Sequence, residues 1–292
     1  MKTSLSHSIV LLIAIQSITL AEERPLVRAI NLSKAEPEYI DKFLGESGRD
    51  VSAYVSEGKS LIIWAAQSGQ ADTIHRLVAR GADVNQISKD GYKLTPLVCA
   101  SDRGFPDAVK VLIEHGANTK GDDGRRAVKA AASYNTKGHA EVILALAKAG
   151  AVVDGEPVWK SLEYRRLKSL EALLTAGANI DQRGRNEITP ALYAVVNGDM
   201  QLLNIILKHK PNLNLFGRFP FTFHGVSDIP PEEQYWDRTP LMFAAEAGNK
   251  QMVEVLLQAG ADRFIKDRHG KTALDLAIST KRDEVIAVLQ KK

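Results

Sequence analysis

The chain has 292 residues, 45% hydrophobic and 25% charged, with a formal net charge of +3. That balance excludes a disordered or collagen-like chain, and its interleaved acids and bases lack the one-sided basic stripe of a nucleic-acid binder. A single cysteine, Cys99, excludes an intramolecular disulfide framework and any zinc site built on several cysteines.

Residues 1–21 open with Lys2, continue through an apolar run at 9–15 and end in Ala21. A charged start, a short apolar stretch and a small terminal residue predict a secretory signal cut after Ala21. A buried helix fits less well, because the run has no amphipathic period and ends directly in Glu22, Glu23 and Arg24. A membrane anchor would need about 18–20 apolar residues, more than any run here supplies. No lipid-attachment cysteine follows. The expectation is export, into a bacterial periplasm first and to the outside second, without stable membrane insertion.

Residues 25–47 read as a degenerate first unit, with helices at 26–32 and 37–44. From there a short tag recurs, beginning at Gly48, Gly81, Gly116, Gly150, Gly177, Lys210 and Gly260. Gly-Ala-Asp-Val-Asn from Gly81 is a clear copy. The steps are 33, 35, 34, 27, 33 and 50 residues. A second tag follows about 12 residues later in the regular copies, as in Thr95-Pro96-Leu97, Thr189-Pro190-Ala191, Thr239-Pro240-Leu241 and Thr272-Ala273-Leu274 (Ser60-Leu61-Ile62 in the first). Thr or Ser before a helix accepts from orphan amides, and Pro fits the first helical turn. The Ala pairs 65–66, 130–131 and 244–245 are expected where neighbouring units approach closely. Apolar residues at helical spacing mark each second helix: Ile74 and Leu77; Val109 and Leu112; Leu202, Ile205 and Ile206; Val253 and Leu256. The Gly of each tag suits the left-handed residue that ends such a helix.

Two copies depart from the pattern. The unit from Gly150 to Gly177 is six residues short, which predicts a local bend in the stack. The turn from Lys210 to Thr239 is 17 residues long beyond the regular 12, and residues 216–236 hold six of the chain's aromatics. Phe219, Phe221 and Phe223 alternate at strand spacing, so this insertion reads as a hairpin finger with one apolar face. Whether it packs back on the repeats or binds a partner is open at this level. Residues 272–292 form a polar last unit.

Two tags held in phase over so much of the chain resemble the ankyrin repeat, a β-turn followed by two antiparallel helices over about 33 residues. The resemblance covers about 25–292. It implies an all-α solenoid of about seven to eight helix-turn-helix units with β-turn or hairpin connections, occupying 22–292 after the leader. A solenoid grows by stacking, which removes the two-domain expectation raised by length. Ankyrin repeats bind proteins through turn tips and the concave row of first helices. Carried over by position, this implies partner-binding roles for Gln67, Ser68, Asp102, Arg103, Val196, Asn197, Glu246 and Ala247. Turn tips Tyr54, Glu57, Asp90, Arg185 and Arg268 join them, with Phe219, Phe221, Phe223, Tyr235 and Trp236 as finger anchors.

No active site is legible. The nucleophile-elbow, phosphate-loop and His-Glu-x-x-His patterns are missing from the sequence. Among the histidines outside the leader, only His75 and His224 fall outside recurrent repeat positions, and neither has a metal-spaced partner in sequence. Cys99 lies at an apolar helix position and reads as a buried inert thiol. Acids such as Asp50, Asp83 and Asp262 read as turn residues. The expectation is a non-catalytic, monomeric interaction scaffold for a protein partner, without cofactor or metal. Its role is assisting an exported enzyme, blocking a toxic one as an immunity factor, or acting as a host-directed effector. An enzyme in which the finger completes a pocket is the competing class.

Overall fold

A computed structural model describes residues 51–52, 54–184, 187–220 and 235–291. The expected leader at 1–21, the first unit at 25–47, Arg185, Phe221, Phe223 and His224 lie outside the described residues. The chain divides into two compact units: residues up to 160 with 168–176, and 161–167 with 177–292.

The first unit opens with a short hairpin, β1 (Tyr54–Ser56) and β2 (Lys59–Ser60). Helix pairs follow: α1 (Leu61–Gln67) with α2 (Ala71–Ala79), α3 (Pro96–Arg103) with α4 (Pro106–Glu114), and α5 (Gly121–Ala132) with α6 (Lys137–Lys148). First helices stack in one row, α1 on α3 and α3 on α5, while α2, α4 and α6 form a second. The shortened copy supplies α7 (Glu156–Glu163) and α8 (Leu167–Thr175), which straddle the division.

The second unit holds α9 (Pro190–Val196) with α10 (Met200–Leu207), the hairpin β3 (Gly217–Pro220) and β4 (Tyr235–Arg238), α11 (Pro240–Ala247) with α12 (Lys250–Gln258), and α13 (Ala273–Ser279) with α14 (Asp283–Gln290). Here α9 packs on α11 and α11 on α13, with α12 beside α14. The fold is an ankyrin-repeat solenoid, and the two hairpins are the connections expected between its units.

The local signals operate as their chemistry requires. Thr95, Thr189 and Thr239 each accept a hydrogen bond from the amide three residues on, with Pro next in the helix. Thr272 goes further and forms a reciprocal capping box with Asp275, whose carboxyl is held below its ordinary value chiefly by the Thr272 amide. Ser60 occupies the same place without a side-chain cap bond. Lys210 replaces the tag glycine yet keeps its left-handed backbone, at φ 52°.

The core of each unit consists of aliphatic side chains between stacked helix pairs. Ile74, Leu77, Leu112, Ile143 and Leu146 are fully buried in the first unit; Leu192, Leu203, Ile206, Val253 and Leu256 are buried in the second. Burial of each such side chain contributes about 1.5–3 kcal/mol relative to exposure. Ala65–Ala66 and Ala244–Ala245 are buried as expected. In α5 the pair is one residue later than expected: Ala131 and Ala132 are buried and Ala130 is half-exposed. Ala127 and Val128, one turn earlier, are both fully buried. That unit lacks the Thr-Pro tag, so nothing local marked its phase.

The long insertion does begin and end as a hairpin. Gly217 pairs with Arg238, Arg218 with Asp237, Phe219 with Trp236 and Pro220 with Tyr235, antiparallel. Its base lies close to α9: a Cβ on Gly217 would come within 2.2 Å of Leu192 Cδ2, so a larger residue there requires the buried Leu192 side chain or the strand to shift.

Candidate protein-binding surface

The turns are held by a hydrogen-bond ladder that the tag encodes. The third tag residue accepts from the amide two positions on: Asp83 from Asn85, Asn179 from Asp181, Asn212 from Asn214, Asp262 from Phe264, at 2.8–3.0 Å. The fifth tag residue accepts from the next turn. Asn85 takes the Asn118 amide, Asp181 that of Asn212 and Asn214 that of Asp262. Asp83 and Asp262 are therefore turn residues, as their recurrence implied. Phe264 stands at the fifth position of the last tag, where no further turn follows among the described residues, and it is 77% exposed.

The turn between Gly81 and Thr95 spans 14 residues, two more than the regular copies. Ser88 closes it: its hydroxyl donates to Asp90 and accepts the Leu94 amide, and its own amide donates to the Leu94 carbonyl. Asp90 also accepts the Tyr92 amide, and the Ser88 hydroxyl heads the causes that hold its carboxyl below the usual range. Arg126 of the following unit donates to the carbonyls of Tyr92 and Lys93. The backbone is thus fixed while the Tyr92 ring is 76% exposed, and Ile87 in the same turn is 50% exposed. Asp90, expected at the turn tip, is half-buried and bonded within its own turn, whereas Tyr92, two residues on, is exposed.

At the opposite ends of the first helices, Gln67, Ser68, Asp102, Val196 and Glu246 are half-buried and Arg103, Asn197 and Ala247 exposed. Several are committed to internal contacts. Gln67 accepts from Lys59 Nζ at 3.4 Å, Asn197 donates to the Tyr193 carbonyl, and Asp102 lies 4.0 Å from Arg103. The loops here are braced by the next unit. His139 Nε2 donates to the Asp102 carbonyl at 2.9 Å while its Nδ1 accepts the Thr136 hydroxyl; only this tautomer serves both, because a carbonyl cannot donate. Arg282 donates to the Glu246 carbonyl in the same way. A Cβ on Gly104 would meet the His139 ring at 2.5 Å, so that glycine is dictated by close approach as well as by its φ of 70°.

Glu246 has a further task. Arg238, at the end of β4 and only 7% exposed, donates to it and lies 3.9 Å from Asp267, whose side chain is 2% exposed. The guanidinium also stands 6.0 Å from the Phe243 ring centre. Burial pulls Arg238 below its ordinary value, and the two carboxylates oppose that pull. This cluster joins the hairpin base to α11 and to the last turn. A groove of about 400 Å³ opens beside it, lined by Phe216, Asp237, Lys266 and Arg268 with the Arg183–Glu187 ion pair. Phe219, Tyr235 and Trp236 stand in the strands above this base.

No group of three or more His, Cys, Asp or Glu able to hold a metal occurs among the described residues. Two of the histidines meet across the stack. His75, which had no metal-spaced partner in sequence, meets His115 with Nδ1 and Nε2 2.9 Å apart. Adjacent units supply the two rings, 40 residues apart, a separation no local spacing rule detects. Cys99 is buried, and desolvation pushes its thiol up to about 11. A thiol-specific reagent at pH 8 should leave the folded protein unmodified and react fully only in denaturant. Stoichiometric labelling of the native chain within minutes would contradict that placement.

A family description for ankyrin repeats, in three copies, matches residues 62–156 and 222–292. The chain is similar to YahD of Escherichia coli strain K12, 32% identical over 148 residues, which cover 43% of this chain and 74% of that protein. It is also similar to the human palmitoyltransferase ZDHHC13, 26% identical over 249 residues, covering 85% of this chain but only 33% of that one. The chain therefore spans about three quarters of the first relative and a third of the second. Among solved structures, the human ASB11 ankyrin repeat domain aligns with a TM-score of 0.49 at 21% identity, over 80% of this chain and 99% of that domain.

Proposed function

The chain belongs to the ankyrin-repeat family, and on that premise we propose that it is a non-catalytic scaffold that holds a protein partner on its turn tips and first-helix ends. The observation that carries this reading is the Tyr92 tip. A large ring stands 76% exposed on a turn whose backbone is already held by Ser88, Asp90 and Arg126. Tyrosine is among the residue types that dominate interface energetics, and a turn ordered before binding avoids much of the ordering cost of association. Phe264, equally exposed, offers a second anchor of the same kind. The hairpin offers a further surface within the second unit, on a base fixed by Arg238.

Export completes the reading: the leader-like pattern of residues 1–21 supports delivery to the periplasm or beyond. Osmotic-shock, supernatant and cytoplasmic fractions of the native host, probed for the chain, test this part; confinement to the cytoplasm would refute it.

The binding reading is tested by affinity capture from the native cell envelope with three forms of the chain: wild type, Tyr92→Ala, and a form with residues 221–234 replaced by a two-residue turn. Each altered form should retain its helical circular dichroism and lose at least tenfold in capture of the partner. Capture unchanged in both would refute the proposed surface.

A further inference from the structure

We infer that His75 and His115 form a two-imidazole site for a divalent transition-metal cation of tetragonal preference, Cu(II) or Ni(II). The inference is independent of the partner-binding surface. α2 and α4 pack side by side, and they bring His75 from the middle of one and His115 from the C-cap of the other to a ring separation of 5.0 Å and a tilt of 46°.

The nitrogens that face each other, Nδ1 of His75 and Nε2 of His115, are 2.9 Å apart. Two ligands bound at about 2.0–2.1 Å and subtending a right angle are themselves about 2.9 Å apart. A tetrahedral ion would require about 3.3–3.4 Å at the same bond length. The spacing therefore matches adjacent positions of a square-planar or octahedral ion, and imidazole is a preferred ligand of copper and nickel. Magnesium and calcium favour oxygen donors and have no such set here.

Two further features favour a cation. His75 is exposed and His115 half-exposed, so hydrated metal reaches both rings without opening the core. His115 terminates α4, and the negative end of that helix's dipole lies at the site. In the metal-free state the facing nitrogens share one proton as an N–H···N bond. Metal replaces that proton, and each ring turns by about 45°, so that both lone pairs leave the N···N line and meet on an ion with a right angle between them while the nitrogens keep their spacing. With no third protein ligand grouped there among the described residues, water completes the coordination sphere and the site stays open on its outer side.

The test uses the full chain without an affinity tag, titrated with Cu(II) and read by electron paramagnetic resonance, with Ni(II) and Mg(II) followed by thermal melting. The expected result is one copper per chain with hyperfine structure from two equatorial nitrogens, a rise in melting temperature with Ni(II), and none with Mg(II). His75→Gln and His115→Gln should each weaken copper binding at least tenfold, and the double variant should add little to either. A wild-type spectrum with a single nitrogen, or binding retained in both single variants, would overturn the site. The wild-type spectrum decides the matter even if a variant fails to fold.

Discussion

Replacing Arg238 with alanine should destabilise the second unit by about 3–5 kcal/mol, the cost of breaking a buried ion pair from one side. The side chain is 7% exposed, and its removal strands Asp267, itself 2% exposed, and takes the ion-pair partner away from Glu246. The Asp267 carboxyl keeps its amide donors from His269 and Lys271, both at 2.9 Å, which places the loss within that range and not above it. Arg238→Lys should recover less than half, because an ammonium lacks the planar fork that reaches two acceptors at once. Urea unfolding followed by circular dichroism measures both. A loss below about 1 kcal/mol would mean that the cluster behaves as an ordinary surface pair. The functional consequence is specific: this residue ties β4 to α11 and to the last turn, so the variant should also lose partner capture in step with stability.

Leu112→Ala should cost about 2–5 kcal/mol, the range for a fully buried leucine truncated in a packed core. Leu112 lies in α4, which packs on α2 on one side and α6 on the other, so one cavity weakens two interfaces. In a repeat stack these nearest-neighbour interfaces supply most of the stability, since no helix pair buries its apolar face alone. Leu144→Ala provides the contrast. That side chain, in α6, is 40% exposed, and its truncation should change stability by no more than about 0.5 kcal/mol. Equal losses for the two leucines, measured by the same urea titration, would contradict the placement of the core.

Taken residue by residue, the boundary between local and long-range information is sharp. Thr95, Thr189, Thr239 and Thr272 start helices because a hydroxyl can reach an amide three residues away, and that interaction is complete within one turn of chain. The same holds for the glycines that end second helices and for Asp83 and Asp262, which close their own turns. Periodic leucines and isoleucines announce the buried face for the same reason, so the repeat, its helix starts and most of its core were legible in the amino-acid order.

What the tertiary structure alone decided involves partners one unit or more away. In α5, without a Thr-Pro tag, stacking against α3 set the buried pair at Ala131 and Ala132, one residue from the expected phase. Arg238 lies between Glu246 and Asp267 because the hairpin register carries it there. Tyr92 projects because Arg126, 34 residues on, holds its carbonyl, and His75 meets His115 only because α2 lies against α4. Each depends on the register between stacked units, a sum of many small packing contacts that no single short stretch of sequence contains.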